Sequence, residues 1–145
     1  DFEFNVSDIC YGYRSSNISD DMLCISATIR GSIANRVEII QEIKRYKKHR
    51  DSAQPIKQRT GGSTFKNPIN IKAWKLIRDA GCSGLSSGDA VISELHTNFI
   101  INKGNATAYD IELLGEKIKK RVKEKTGVDL EWEIRRIGIG PEVEL

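Results

Sequence analysis

The chain is poor in several things that would have settled its class quickly. Its three cysteines, Cys10, Cys24 and Cys82, are odd in number and widely spaced with no CxxC pair, which argues against a disulfide framework and against a structural zinc site. They read as reduced thiols in a cytosolic protein. Only three prolines occur, hydrophobic residues make up 39% and charged residues 30%, a balance typical of globular chains and unlike disordered or fibrous ones. No stretch approaches the roughly 20 consecutive apolar residues that a membrane helix needs. The first residues, Asp1 to Phe4, hold neither an initiating Met nor a basic, apolar secretory pattern. They read as a chain cut from something larger. There is no internal repeat and no low-complexity segment.

What is present is 145 residues with a net charge of +3, from 23 basic and 20 acidic side chains. That length suffices for one ordinary core, or for a small domain plus the trailing piece of another. The modest positive excess suits an anionic ligand without demanding a nucleic acid. Basic helices at residues 34–49 and 111–125 would suit a nucleic-acid-binding module, but aromatic residues do not interleave with the basic ones as a stacking platform requires.

Periodicity divides the chain. Met22 to Arg30 mixes β-branched and apolar residues before Gly31 and predicts a strand. Val37, Ile40, Ile43 and Tyr46 recur at helical spacing and predict a surface helix from about Ala34 to His49. Residues 50–68 carry Pro55, Gly61, Gly62 and Pro68, predicting a loop and a domain boundary. A short helix is expected at Ala73 to Ala80 with Gly81 as its cap, then short strands at Ala90 to Ser93 and Asn98 to Asn102. The longest helix should start at Thr107 and Asp110, a capping box with Asp in place of Glu, carry the stripe Ile111, Leu114, Ile118 and Val122, and stop at Gly127. A final strand is expected over Leu130 to Ile137, with Glu131, Glu133 and Arg135 on the face opposite Trp132.

Three patches carry chemistry that packing does not require. In TGGSTFKNP, Thr60 to Pro68, Gly61 and Gly62 allow the backbone to approach a ligand, leaving Ser63, Lys66 and Asn67 to converge on it. The spacing lacks the terminal Lys-Ser/Thr of a phosphate-binding P-loop and by itself fits a plain loop better than a site. The charged row of LEWEIRRIG fits a solvated strand face as well. In CYGYRSS, Arg14 sits in a polar, aromatic loop, where an arginine is commonly a surface cation.

Taken together, GYRSS, RTGGSTFKNP, AWKLIRDAGCSG, HTNFIINKGNATAYDI and LEWEIRRIG resemble, in order, the C-terminal half of the UDP-N-acetylenolpyruvoylglucosamine reductases, in the shorter of that family's two types. The resemblance implies an α+β fold: residues 1–54 as the C-terminal tail of an FAD-binding region, and 55–145 as a substrate-binding domain with a mixed sheet and packed helices. It implies a flavoenzyme that uses NADPH and FAD to reduce an enolpyruvyl UDP-sugar for peptidoglycan synthesis and cell-wall formation in the cytoplasm, with neither nucleic acid nor membrane as partner. Catalytic roles fall on Arg14, Ser63 and Glu133, substrate contacts on Asn67, His96 and Lys66, and cofactor contacts on Gly62 and Arg135; no metal is implied. The family's N-terminal FAD-binding portion has no counterpart in these 145 residues, so the chain alone is expected to be inactive. A sugar-nucleotide-binding fragment without catalysis is the competing expectation. Asp89 departs from the family, which has a small residue before the AVIS run.

Overall fold

The computed structural model describes residues 2–138. They divide into two compact units, Asp1–Ile39 and Ile40–Leu145. The division falls inside a helix, whereas the sequence reading set its boundary at residues 54 and 55.

In the first unit a 3-10 turn, Val6–Asp8, is followed by a two-stranded antiparallel hairpin, β1 (Tyr11–Gly12) and β2 (Ser15–Ser16). The Asn17 side chain ties it to the preceding turn: its oxygen accepts from the Cys10 N–H at 2.8 Å and its amide donates to the Asp8 carbonyl at 3.1 Å. The strand expected over Met22 to Arg30 is not formed. Leu23, Ile25 and Ile29 are more than four-fifths exposed, and a strand needs a partner to satisfy its backbone and cover one face. Helix α1 runs from Arg36 to Ala53, with the Asn35 side chain accepting from the Val37 N–H at 2.8 Å. Its expected apolar stripe exists as a pattern, yet Val37, Ile43 and Tyr46 are all exposed.

The second unit holds the core. Its four strands, β3 (Thr60–Ser63), β4 (Ser86–Ser87), β5 (Ala90–Ile92) and β6 (Phe99–Asn102), form a sheet of order β3-β6-β5-β4. Every pairing is antiparallel, so the mixed sheet expected from the sequence is corrected. The short links between β4, β5 and β6 allow only hairpin pairing, since a parallel pair needs a crossover of about a dozen residues or more. Helices α2 (Ala73–Asp79) and α3 (Ala108–Thr126) pack together, and α3 covers β4 and β5.

Helix α3 begins and ends as its sequence dictates. Thr107 accepts from the Asp110 N–H at 3.1 Å while Asp110 accepts from the Thr107 N–H at 2.8 Å, and Gly127 closes the helix at φ +72°. The Thr107 hydroxyl, which donates to the Asp110 carboxylate at 2.7 Å, and then the Thr107 N–H hold that carboxyl below its usual range. Leu114, Ile118 and Val122 are fully buried, each contributing on the order of 1.5–3 kcal/mol by removal from water. Ile111 is only partly buried at the edge of that core.

Two further expectations about strands need correction. The loop expected through residues 50–68 contains β3, because the two glycines lie in a bulge rather than breaking the pairing: three steps from Thr60 to Ser63 match two steps from Ile101 to Phe99. The final strand, expected over Leu130 to Ile137, is reduced to a single antiparallel bridge between Trp132 and Phe65. After Thr64 accepts from both Glu133 and Ile134, no further rung follows among the described residues.

Asp89 finds a local explanation. Its carboxylate accepts from the Asn105 N–H at 2.8 Å and its carbonyl from the Lys103 N–H at 2.9 Å, so it stitches the turn after β6.

Candidate active site at the edge of β3

The end of β3 and the chain after Leu130 meet although about seventy residues separate them. Lys66 N–H donates to the Glu131 carbonyl at 2.8 Å and Glu133 N–H donates to the Thr64 carbonyl at 2.9 Å, on either side of the Phe65–Trp132 bridge. The antiparallel register sets Glu133 opposite Thr64, one residue beyond Ser63. Across the same rung, the rings of Phe65 and Trp132 lie 5.0 Å apart and tilted. Trp132 donates its indole N–H to Glu116 of α3 at 2.7 Å and carries Arg136 over its face at 5.0 Å. Arg136 in turn pairs with Glu112. The acidic segment is therefore pinned to α3 on one side and to β3 on the other.

Ser63 and Glu133 are both half-buried. Gly62, just before the serine, has φ +92° and open space where a side chain would begin, which keeps the backbone accessible at that point. Lys66 forms an ion pair with Glu131. Asn67 has a job within the fold: its side-chain oxygen accepts from the Ala73 N–H at 3.0 Å, serving the start of α2, where Lys72 makes no side-chain cap. Arg135 is exposed beyond the bridge.

His96 lies in the turn between β5 and β6, its ring edge-on to Phe99 at 4.8 Å and 6.2 Å from Trp74. Its Nδ1 is buried with no hydrogen-bond partner among the described residues. Burial disfavours the charged imidazole and lowers its pKa.

Arg14 belongs to the first unit and is described there alone. It occupies the β1–β2 turn at φ +56°, with its guanidinium 5.6 Å from the Tyr13 ring centre. A left-handed arginine is uncommon and strained, and such strain concentrates at functional positions.

Asn98 and Gly115 carry structural weight here that the sequence reading missed. Asn98 is 4% exposed and bonds to both backbone groups of Phe65. A polar residue opening an apolar strand run was the available signal. Gly115, inside α3, leaves the space that the Trp132 ring fills. Nothing in the local sequence marks that role.

FAD can be tested against this geometry in part. Gly62 has open space where a side chain would begin, and Arg135 is exposed. At the starts of α1, α2 and α3 one backbone N–H each is accepted by a side chain, of Asn35, Asn67 and Thr107 respectively.

The fold and this edge define a class: an α+β domain that presents a polar, chemically equipped margin, assembled from distant segments, beside a packed core. Residues 54–137 match the family model for the C-terminal domain of UDP-N-acetylenolpyruvoylglucosamine reductase, and the chain belongs to that family. It is 52% identical over 136 residues to the UDP-N-acetylenolpyruvoylglucosamine reductase of Methylorubrum populi, covering 94% of this chain and 44% of that protein. Its likeness to the Parvibaculum lavamentivorans enzyme of the same name is 52% over 136 residues, with the same coverage. The crystal structure of UDP-N-acetylenolpyruvylglucosamine reductase from Thermus caldophilus superposes with a TM-score of 0.72 at 33% identity, over 88% of this chain and 46% of that one. The chain thus spans less than half the length of these relatives.

Proposed function

We propose that the chain is the substrate-binding part of a flavoenzyme that reduces UDP-N-acetylglucosamine enolpyruvate to UDP-N-acetylmuramate, a step of peptidoglycan precursor synthesis. In this reading residues 55–145 are the substrate domain and residues 1–54 the tail of the FAD-binding region. The supporting observation is the rung that joins the Ser63 turn to the Glu133 segment, within a chain of this family.

FAD, when bound, supplies the hydride taken from NADPH. Gly62 and Arg135 would border it, and most of its phosphate and adenine contacts would come from the remainder of the protein. Hydride arrival at the β-carbon of the enolpyruvyl group opens the C=C bond and leaves negative charge on the carbon next to the carboxylate, spread into that carboxylate. Arg14, permanently charged and planar, suits the stabilisation of that enediolate-like charge. In the same reading Glu133 contributes a hydrogen bond to that charge. Ser63 then gives its proton to the carbon, forming the new C–H bond. A hydroxyl is a weak acid, and it suffices here because the carbon it protonates is strongly basic. Asn67, His96 and Lys66 hold the substrate.

The test separates the two half-reactions by stopped-flow absorbance of the flavin in the complete enzyme. Ser63→Ala should leave reduction by NADPH nearly intact and slow reoxidation by the enolpyruvyl substrate by about a hundredfold or more. Glu133→Gln should slow the same half-reaction, and Glu131→Gln, whose native carboxylate pairs with Lys66, should matter less. Wild-type reoxidation in Ser63→Ala would refute the assignment of the proton donor.

A further inference from the structure

We infer that Asn98 is a positioning residue for this reaction, setting the Ser63 turn by clasping the backbone that follows it. The inference rests on the proposed role of Ser63. Asn98 immediately precedes β6, and Phe99, the first residue of that strand, pairs with Ser63. Beyond that rung Asn98 continues the ladder with its own atoms. Its carbonyl accepts from the Thr64 N–H at 2.8 Å, its side-chain oxygen accepts from the Phe65 N–H at 3.0 Å, and its side-chain amide donates to the Phe65 carbonyl at 2.8 Å. From the other flank, the Thr64 carbonyl accepts from the Glu133 N–H at 2.9 Å. All four backbone polar groups of Thr64 and Phe65 are therefore held, three by Asn98 and one by Glu133 together with Ile134.

Packing alone does not call for an amide here. Asn98 is 4% exposed beside a fully buried Phe65 and a 4% exposed Ile100, and a primary amide is costly in such surroundings unless its groups are matched. The hydrogen bonds of its side chain all go to the segment that carries Ser63 on one side and Lys66 and Asn67 on the other. Releasing that segment leaves the Ser63 hydroxyl free to drift, and misplacement by about 1 Å costs on the order of a hundredfold in rate.

Two measurements test this. In the 145-residue chain, Asn98→Ala should raise the amide exchange rate of Phe65, followed by NMR, by about tenfold or more; an unchanged rate overturns the clasp. In the complete enzyme, Asn98→Ala should slow flavin reoxidation by the enolpyruvyl substrate at least about tenfold while reduction by NADPH stays within about twofold. In a Ser63→Ala background the same change should add less than about threefold, because the group being positioned is gone. Equal slowing of both half-reactions, or the full effect persisting without the Ser63 hydroxyl, means a merely structural role and overturns the inference. If Asn98→Ala does not fold, Asn98→Asp, which keeps the shape and the acceptor but loses the donor, is read by the same half-reaction comparison. A Ser63→Ala enzyme that reoxidises at the wild-type rate sinks the catalytic reading, and the positioning role with it. The exchange rate then reports separately whether the clasp exists.

Discussion

At the scale of single residues, His96 has the most to say about pH. Its ring is held between aromatic neighbours, with Phe99 edge-on and Trp74 beyond, and Arg78 stacks on the far ring system 5.0 Å from the Trp74 centre. Burial lowers the pKa of the folded-state imidazole below the usual value of about 6.5. The unfolded chain therefore takes up its proton first as pH falls, and stability drops through the window just below 6.5 until the folded imidazole also titrates. Urea midpoints at pH 7.5 and pH 5.5 should show that loss, and His96→Asn should flatten it. His49→Gln, on the exposed helix α1, should leave it intact; a slope that disappears with His49 instead would reassign the effect. Asp110, held low by Thr107, loses its contribution only in the carboxylate range further down. The polar residues singled out from the sequence drew attention because they break periodicity or follow glycines. Asn98 was passed over because its only signal, a polar residue opening an apolar strand run, is weak: an asparagine that mimics a strand residue looks in sequence much like any residue bordering a strand.

At the scale of elements, legibility followed how locally each element is determined. Helix α3 carries its cap, stripe and stop within twenty-one residues, Thr107 to Gly127, and was readable end to end. The β3 strand was hidden because its glycines allow a bulge whose register is set by β6. The chain after Leu130 alternates like a strand, yet its pairing is decided by Phe65 and by α3 rather than by its own pattern. Gly115 shows what joins these pieces. A helix-interior glycine costs about 1 kcal/mol relative to alanine, so Gly115→Ala on an isolated helix would stabilise. Here a Cβ would fall 1.9 Å from the tip of the Trp132 ring, and overpacking of this kind costs about 1–3 kcal/mol. The clash should win: Gly115→Ala is expected to lower the unfolding free energy by about 1–2 kcal/mol. Trp132→Leu should remove most of that penalty in the double variant, as denaturant titration of all four members of the cycle would show. A stabilised Gly115→Ala protein would mean that the Trp132 ring does not occupy that space.

At the scale of the whole molecule, the two units differ in kind. The second has a closed core around Phe65, Ile77, Ile92, Leu114 and Ile118, whereas no described residue of the first is buried, and Phe2, Val6, Leu23, Ile25 and Ile29 stand largely in solvent. Apolar surface on that scale is a surface for something else to cover, and the relatives have more than half their length outside the region that this chain matches. If that remainder carries most of the FAD site, the chain by itself should bind FAD poorly, since within it only Gly62 and Arg135 are assigned to the cofactor. Fluorescence quenching of FAD by the purified chain should therefore show no saturation in the micromolar range, and the preparation should be colourless. Co-expression with the family's N-terminal portion should turn it yellow, with an absorbance band from bound flavin. Micromolar binding by the chain alone would place the flavin site largely within these residues and would move the domain boundary away from residues 54 and 55.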